Sequence, residues 1–504
     1  MSLSQPTASF ADEAALSLPD NAPKVAPPQS PLPADSLERV ETWGMNRAAL
    51  AYVHRPTTIA GIREVFALAC QHGVTVGMRG AGRSYGDASL PNENICLDLT
   101  RMNRILDWNP ATGIITVEPG VTLRELWRYT IGDGWWPPVV SGTMNVTLGG
   151  AAGMNFHGKN NLHVGPLGEH ILSFDILLPS GQLETCTPVH NHALFHAAIG
   201  SFGMLGCFTS LTIQMKRIET GLLDVTQRAA PDLAGMLQLF EDSANSADFL
   251  VGWIDGFASG EKLGRGLVQS ARYVPAARVA NPLQSLRTQN QDMPDTLFGI
   301  VPKSMLWRVM KPLTNRYGMR LLNALKFRMG STLGNGKTIR QTHAAFNFLL
   351  DYIPDWKFVY KPLGLLQHQS FVPAEHVQEC YTRVLQACQE AGIAPFLAVI
   401  KKHRRDDFLI SYCLDGYSLA LDFPITVANR RTLPTLLTRL DALVLEAGGR
   451  FYLAKDSSLS SAAYAASLGE ETRQRFLSIK HECDPDNLLQ TDLSRRLFGD
   501  FSAE

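Results

Sequence analysis

The chain contains two long glycine-rich stretches that have neither helical nor strand periodicity. The first, VTVGMRGAGRSYGDASL, spans residues 74–90, begins with a short alternating strand pattern and holds four glycines in all. The second, WWPPVVSGTMNVTLGGAAGMNFHGKNN, spans residues 135–161 and is too long for an ordinary connection. Since glycines leave backbone N–H groups uncovered by side chains, the first stretch is typical of a loop that holds an anionic ligand.

Residues 82–86, GRSYG, also match the G-x-S-x-G pattern of a hydrolase nucleophile elbow. That motif needs a helix directly after the serine, so that the hydroxyl stands exposed on a strained turn. Here Ser84 is followed by Gly86, Asp87, Pro91 and two asparagines, which favour turns. We therefore expect Ser84 to belong to a ligand cradle, and we keep the hydrolase only as a distant alternative.

Length and composition limit the class of protein. With 504 residues, 45% of them apolar, the chain can form two or three domains. Its net charge of −1 argues against a general nucleic-acid-binding protein, because phosphate backbones are bound by basic fields. Eight cysteines without a C-x-x-C pair favour reduced thiols in a cytoplasmic protein. Neither a signal peptide nor an apolar run of 18 residues is present, so we expect neither secretion nor a membrane span.

The pattern of elements predicts an α+β fold. Residues 1–37 are rich in proline and poor in large apolar residues, which predicts a disordered tail. Residues 56–73 have helical spacing and lead into the strand VTVGMR. Strand-like runs follow at ICLDL, GIITVEPG and SFDILLPSGQLETC, and the last contains a turn that suggests a hairpin.

A basic segment stands out in this near-neutral chain. Residues 296–350 contain no Asp or Glu but carry nine cations: Lys303, Arg308, Lys311, Arg316, Arg320, Lys326, Arg328, Lys337 and Arg340. Large apolar residues are interleaved with them, so the segment reads as basic and amphipathic. It is either the solvated face of core helices or a surface for peripheral contact with a membrane or an anionic lipid.

Three other patterns fail on spacing. GSTLGNGKT, residues 330–338, has Ser331 where a P-loop needs glycine. The glycines after residue 79 are followed by a loop, whereas a dinucleotide fingerprint requires a helix there. His190, His192 and His196 lack a suitably spaced carboxylate or cysteine, so we predict no metal site.

Several ordered motifs resemble one family. They are RGAGRSYGD near residue 80, SGTMNVTLGGAAGMNFHGKN at 141–160, GSFGMLG at 200–206, LLQHQSFVP, FLAVIKKH, LALDFPI, FYLAKDS at 451–457 and CDPDNLLQTDLSRRL. Together they resemble the vanillyl-alcohol-oxidase-type flavoproteins with a PCMH-type FAD domain, and within them the decaprenylphosphoryl-ribose oxidase branch. The likeness runs from about residue 43 to residue 497.

The resemblance implies FAD as cofactor. In this family the first glycine-rich loop wraps the FAD pyrophosphate, which corresponds here to Gly80, Gly82, Arg83, Ser84, Tyr85 and Gly86. The flavin ring system would be lined by Gly142, Thr147, Gly149, Gly150, Phe156, His157, Phe208 and Tyr452. Arg83 stands where some relatives have a histidine that tethers the flavin, so the resemblance implies non-covalent FAD.

The resemblance also implies the reacting groups. Removing hydride from a carbinol carbon requires a base for the hydroxyl proton and a cation for the reduced flavin. Lys455 matches the family's active-site lysine and His157 its partner, and Lys159, Gln367, His368 and Lys401 match substrate-pocket positions. Two departures weaken the substrate assignment: Ala420 replaces a cysteine of the mycobacterial enzymes, and His368 replaces a tyrosine.

The resemblance therefore implies an FAD-binding domain in two parts, residues 38–217 and 449–504, around an inserted substrate domain at 218–448 with an antiparallel sheet and helices. The expected reaction is oxidation of the 2′-hydroxyl of a polyprenyl-phosphate pentose to a keto sugar, which a short-chain reductase partner would complete to the epimer. The expected location is the cytoplasm, with peripheral contact at the inner face of the membrane. The alternatives are an alditol or aldonolactone oxidase or dehydrogenase of the same fold, and a flavin-binding subunit without turnover.

Overall fold

The computed structural model describes residues 32–293, 296–297 and 301–499. Of the predicted disordered tail, residues 1–37, residues 1–31 lie outside the described residues. From residue 32 the chain is packed, since the Tyr52 hydroxyl donates to the Leu32 carbonyl at 2.9 Å. Within the described part, none of the helices combines the length and hydropathy needed to cross a bilayer.

The strands and helices alternate irregularly along the chain, as the α+β prediction requires. The strands are β1 Leu37–Glu41, β2 Ala48–His54, β3 Val76–Arg79, β4 Ile95–Asp98, β5 Ile105–Asn109, β6 Ile114–Val117, β7 Trp135–Trp136, β8 Ile171–Leu177, β9 Leu183–Cys186, β10 Cys207–Gln214, β11 Lys216–Arg217, β12 Leu222–Ala230, β13 Phe249–Ile254, β14 Gly266–Tyr273, β15 Thr296–Leu297, β16 Val301–Pro302, β17 Thr338–Thr342, β18 Leu365–Pro373, β19 Leu397–His403, β20 Gly416–Pro424 and β21 Arg450–Phe451. The helices are α1 Ile59–His72, α2 Leu123–Thr130, α3 Leu148–Gly153, α4 Asn161–Val164, α5 His192–Ala198, α6 Leu233–Ala244, α7 Pro282–Ser285, α8 Thr288–Gln291, α9 Lys303–Met310, α10 Arg316–Thr332, α11 His343–Asn347, α12 Val377–Glu390, α13 Leu433–Glu446, α14 Ser461–Leu468, α15 Glu470–Cys483 and α16 Asp492–Phe498.

Two sheets are formed by the first 214 residues. The first has the order β1-β2-β4-β3 and includes parallel pairs, and the second has the antiparallel order β5-β6-β10-β8-β9. The predicted helix before β3 is confirmed: Thr58 caps the N-terminus of α1, and Gly73 ends it with a left-handed φ of 62°. The predicted hairpin is confirmed as β8 and β9.

A third, larger sheet lies C-terminal to these two. It has eight strands in the order β17-β12-β14-β13-β19-β20-β18-β21, all antiparallel. Helices α12 and α13 contact each other and the β18 region, while α10 contacts β12 and β14. The end of the chain returns to the first sheet, where Val76 N–H donates to Leu488 O and Gln490 N–H donates to Val76 O.

Candidate active site

One large cavity lies between the glycine-rich loops and the eight-stranded sheet. Its volume is about 940 Å³, near the upper end of the roughly 300–1,000 Å³ that ligand sites usually have. On one side it is bounded by residues 80–85 and 142–151, which we call the loop wall. On the other side lie residues of β13, β14, β18, β19, β20 and α10, which we call the sheet wall.

The first glycine-rich loop offers free backbone donors to the cavity. The N–H groups of residues 80–84 have no hydrogen-bond partner within the described residues. Gly82 has a left-handed φ of 61°, and a Cβ on Gly80 would lie 2.0 Å from Thr147 Oγ1. The end of the loop is fixed because Tyr85 N–H donates to Ala454 O at 2.9 Å. Five consecutive free donors on a bending backbone fit an anionic group such as a diphosphate.

The second glycine-rich loop is held in place by a residue that sequence reasoning missed. The Asp351 carboxylate accepts from Met144 N–H at 2.7 Å, from the Thr143 hydroxyl at 2.8 Å and from the Asn145 amide at 2.9 Å. Further along, Gly149 approaches Pro119 so closely that a Cβ would lie 2.6 Å from the Pro119 Cβ. Asp351 lies about 200 residues away in sequence, so no local pattern pointed to it.

Most of the residues expected to hold FAD line this one cavity. The lining set includes Gly80, Gly82, Arg83, Ser84, Tyr85, Gly142, Thr147, Gly149, Gly150, Phe156, His157, Phe208 and Tyr452. Gly86 is the exception, because it does not line the cavity. It is buried beside Asp456, whose carbonyl oxygen would lie 1.8 Å from a Cβ on Gly86. Gly86 therefore allows two backbone segments to pass each other.

His157 is buried at the centre of an aromatic group. Its ring centroid lies 5.2 Å from Tyr452 and 4.8 Å from His403. The Gln369 amide donates to His157 Nε2 at 2.9 Å, while Nδ1 has no hydrogen-bond partner within the described residues. Burial holds the pKa of His157 well below its usual value, and the charge of Lys401 lowers it further. The imidazole is therefore neutral and oriented, with its proton on Nδ1 and the Nε2 lone pair accepting from Gln369.

Lys455 lies in the turn that follows β21, with its ammonium nitrogen 3.5 Å from the Tyr85 ring centroid. Burial lowers its pKa, and the nearby Asp422 carboxylate acts in the opposite direction. Burial raises the pKa of Asp422, whose Oδ1 accepts from the Gln367 amide. Asp422 is a second residue that sequence reasoning missed. It lies two positions after Ala420 in β20, so strand alternation places both on one face.

The expected substrate residues divide into two groups. Lys159, Gln367 and Lys401 line the cavity, and so does Ala420. Burial lowers the pKa of Lys159 to about 7 and that of Lys401 to about 8. No described carboxylate forms an ion pair with either lysine. Lys326 of α10, missed by sequence reasoning, also lines the cavity, with its ammonium nitrogen 4.1 Å from the Trp253 ring centroid.

His368 does not line the cavity with the other expected substrate residues. Residues of β18 alternate between the two faces of the sheet, and Gln367 and Gln369 occupy the cavity face. His368 therefore points to the opposite face, where its Nε2 lies 3.1 Å from Asp441 Oδ1 on α13. Gln369, which contacts His157, takes the place in the cavity that we had assigned to His368.

Comparisons with known proteins agree with this cavity. A family model described as the FAD binding domain matches residues 50–187. Decaprenylphosphoryl-beta-D-ribose oxidase of Mycolicibacterium smegmatis is 30% identical over 475 residues, covering 91% of this chain and 97% of the relative. L-gulonolactone oxidase of Mus musculus is 28% identical over 161 residues, 32% of this chain and 36% of the relative. An uncharacterised protein of Streptomyces coelicolor is 27% identical over 382 residues, covering 75% of this chain and all of the relative.

Proposed function

The chain belongs to the family of FAD-linked oxidoreductases that includes decaprenylphosphoryl-beta-D-ribose oxidase, and from this premise we propose its substrate and the roles of its residues. It is an FAD-dependent enzyme that acts on CH–OH groups. The proposed reaction is oxidation of the 2′-hydroxyl of a polyprenyl-phosphate pentose to a keto sugar. A reductase of the short-chain class would then complete the epimerisation.

One observation carries the substrate proposal: the five lysines that line the cavity, three of which lie away from Lys455 and the 350s segment, have no ion-pair partner within the described residues. Lys159, Lys326 and Lys401 all line the cavity that contains the glycine-rich cradle. Lys159 is buried with one hydrogen bond to the Phe346 carbonyl, Lys401 is half-buried and Lys326 is exposed. Burying a lysine without an ion pair costs free energy that a bound anion would offset. A free alditol or lactone carries no such anion, whereas a glycosyl phosphate does. The lysines therefore favour a phosphorylated sugar.

The loop wall provides the groups that would hold FAD. The free N–H donors of residues 80–84 would bind the pyrophosphate, and Phe156, Phe208 and Tyr452 would contact the ring system. FAD, when bound, supplies the acceptor for the hydride of the carbinol carbon. We propose non-covalent binding because Arg83 occupies the tethering position. Acid precipitation should release the yellow colour, and flavin that remained in the pellet would contradict this proposal.

Two side chains would serve the chemistry at the substrate carbon. Neutral His157 would accept the hydroxyl proton at Nε2, where the substrate hydroxyl would replace the Gln369 amide as hydrogen-bond donor. Lys455 would supply the positive charge that offsets the negative charge left after hydride transfer. Asp422 favours the protonated form of Lys455, which burial alone would disfavour. His157 is therefore neutral, as its role requires, and Lys455, whose pKa is lowered to about 7, carries its positive charge below about that pH.

We also propose the domain division expected from the sequence. The FAD-binding domain would comprise residues 38–217 and 449–504, and the eight-stranded sheet, except for its edge strand β21, would belong to a substrate domain at 218–448. The hydrogen bonds between Val76 and residues 488–490 support this division, because they join the end of the chain to the first sheet. Location in the cytoplasm likewise remains a prediction.

An anaerobic substrate screen tests the proposed function. The holoprotein would be mixed with prenyl-phosphate pentoses, alditols and aldonolactones, and bleaching of the flavin absorbance would be followed. Prenyl-phosphate pentoses should bleach it fastest. Preferential bleaching by an alditol or lactone would favour the soluble-sugar alternative. Absence of bleaching by every compound would favour a flavin-binding subunit without turnover.

A further inference from the structure

Helices α9 and α10 and the turns that follow them expose large apolar side chains at a regular spacing. Every fourth residue from 305 to 333 belongs to this set, which we call the apolar ridge: Met305, Val309, Leu313, Tyr317, Leu321, Leu325, Met329 and Leu333. Each exposes between 44% and 83% of its surface. These eight are among the eighteen exposed large apolar side chains of the described chain, so they form a concentrated patch.

The other face of the same helices bounds the cavity. Met310, Met319 and Lys326 line it, and Asn323 is buried. Helix α10 packs closely on β14, since a Cβ on Gly330 would lie 2.5 Å from Leu267. The inward face of α10 is therefore already used, and the apolar ridge remains for an external partner.

The charges around the apolar ridge have one sign. Lys311, Arg316, Arg320 and Arg328 are exposed, and none forms an ion pair with a described residue. Residues 296–350 contain no Asp or Glu at all. A second copy of the chain would bring like charges together, which disfavours self-association through this face. An anionic surface with an apolar interior complements both features.

We propose that the apolar ridge and its flanking cations dock this protein onto an anionic lipid bilayer. The proposal deepens the proposed function and rests on it for its purpose: a lipid-linked substrate would keep its chain in the bilayer while its head group entered the cavity behind α10. The ridge enters the interface between head groups and acyl chains, and the four cations remain at the level of the phosphates.

Vesicle binding of the full-length holoprotein tests the docking. Vesicles of phosphatidylglycerol and phosphatidylcholine should bind the protein, and vesicles of phosphatidylcholine alone should bind it much more weakly. Each cation near an anionic surface strengthens binding roughly fivefold, so the triple variant Lys311→Glu, Arg316→Glu, Arg320→Glu should bind at least about 100-fold more weakly. The matched control Arg101→Glu, Arg431→Glu, Arg475→Glu reverses three exposed arginines elsewhere and should bind normally.

The apolar contribution is tested separately. Leu321→Gln combined with Met329→Gln should weaken vesicle binding roughly tenfold or more. The variant loses the free energy gained when these two apolar side chains are transferred from water into the bilayer interface. Leu50→Gln combined with Leu106→Gln, at positions of similar exposure outside the ridge, should leave binding unchanged. Absence of binding to anionic vesicles at low salt, or equal binding by the ridge variants, would overturn the proposal. Sedimentation as a dimer that the ridge variants abolish would also overturn it.

A second measurement separates this proposal from the proposed function. Flavin reduction by a short-chain, water-soluble prenyl-phosphate pentose should be unchanged in the charge-reversal and ridge variants, since docking is not needed for that substrate. If the protein binds vesicles normally but its flavin is not reduced by this substrate, the proposed substrate is rejected and the docking surface is retained. If the flavin is reduced normally but the protein does not bind vesicles, only the proposed docking surface is rejected.

Discussion

The two walls of the cavity present different kinds of groups to a ligand. The loop wall offers backbone N–H donors of consecutive residues, whereas the sheet wall offers lysine and glutamine side chains from strands that are distant in sequence. Backbone donors are fixed by the conformation of one short segment. Side-chain groups depend on tertiary packing and on the register of β18, β19 and β20. The loop wall is therefore suited to a constant ligand, and the sheet wall to a ligand that differs among relatives.

The largest expected effect concerns the positive charge of Lys455, which belongs to neither wall. Lys455→Ala should retain FAD but reduce the rate of flavin reduction by substrate, because the proposed charge compensation is lost. Removing a preorganised charged donor costs about 2–4 kcal/mol of barrier, or roughly 30- to 1,000-fold in rate. Rapid-mixing absorbance measures that rate. Exposed Lys262→Ala serves as the control, and a near-normal rate in Lys455→Ala would remove Lys455 from the mechanism.

The next effect isolates the sheet wall. Lys401→Ala should lower kcat/KM for a prenyl-phosphate pentose roughly 10- to 150-fold, since a hydrogen bond to a charged group contributes about 1.5–3 kcal/mol. FAD affinity should remain normal, because Lys401 belongs to the sheet wall. The neighbouring Lys402 pairs with Glu241 outside the cavity, so Lys402→Ala is a matched control. Equal losses in both variants would contradict a phosphate contact at Lys401.

A substitution in the loop wall should give the reverse pattern. Gly80→Ala places a Cβ against the Thr147 side chain, and overpacking of this kind costs about 1–3 kcal/mol. FAD should bind roughly 5- to 150-fold more weakly, while kcat/KM of the fully FAD-loaded enzyme changes less. Fluorescence titration with FAD measures the loss. Gly132→Ala, where a Cβ meets no atom within 4 Å, is the control. Normal FAD affinity in Gly80→Ala would remove the loop from the cofactor site.

The smallest effect is a dependence on pH. The pKa of Lys159 is lowered to about 7 and that of Lys401 to about 8, so both lysines lose their proton as the pH rises through this range. Affinity for a phosphorylated substrate should therefore fall above pH 7, by at most about tenfold per pH unit for each lysine. A neutral sugar should show no such fall. Affinity that rises with pH for the phosphorylated substrate would contradict the assignment.

The contrast between the walls also explains what the sequence could predict. The cradle was recognisable because its residues are contiguous and because glycine allows close backbone approach. Gln369 and Asp422 could have been found from strand alternation around Gln367 and Ala420, although the alternation does not say which face meets the cavity. Asp351 and Lys326 reach the cavity only through tertiary packing, so no spacing in the sequence pointed to them. That His368 faces away from the cavity could not be predicted for the same reason.

The central claim is that one cavity binds FAD at its loop wall and a phosphorylated sugar at its sheet wall. The most direct test compares the rates of anaerobic flavin reduction by a prenyl-phosphate pentose and by the same pentose without the prenyl phosphate. We predict that the phosphorylated compound reduces the flavin faster at equal concentration and that Lys401→Ala narrows the difference. Equal rates for the two compounds, or faster reduction by the free sugar, would contradict the claim.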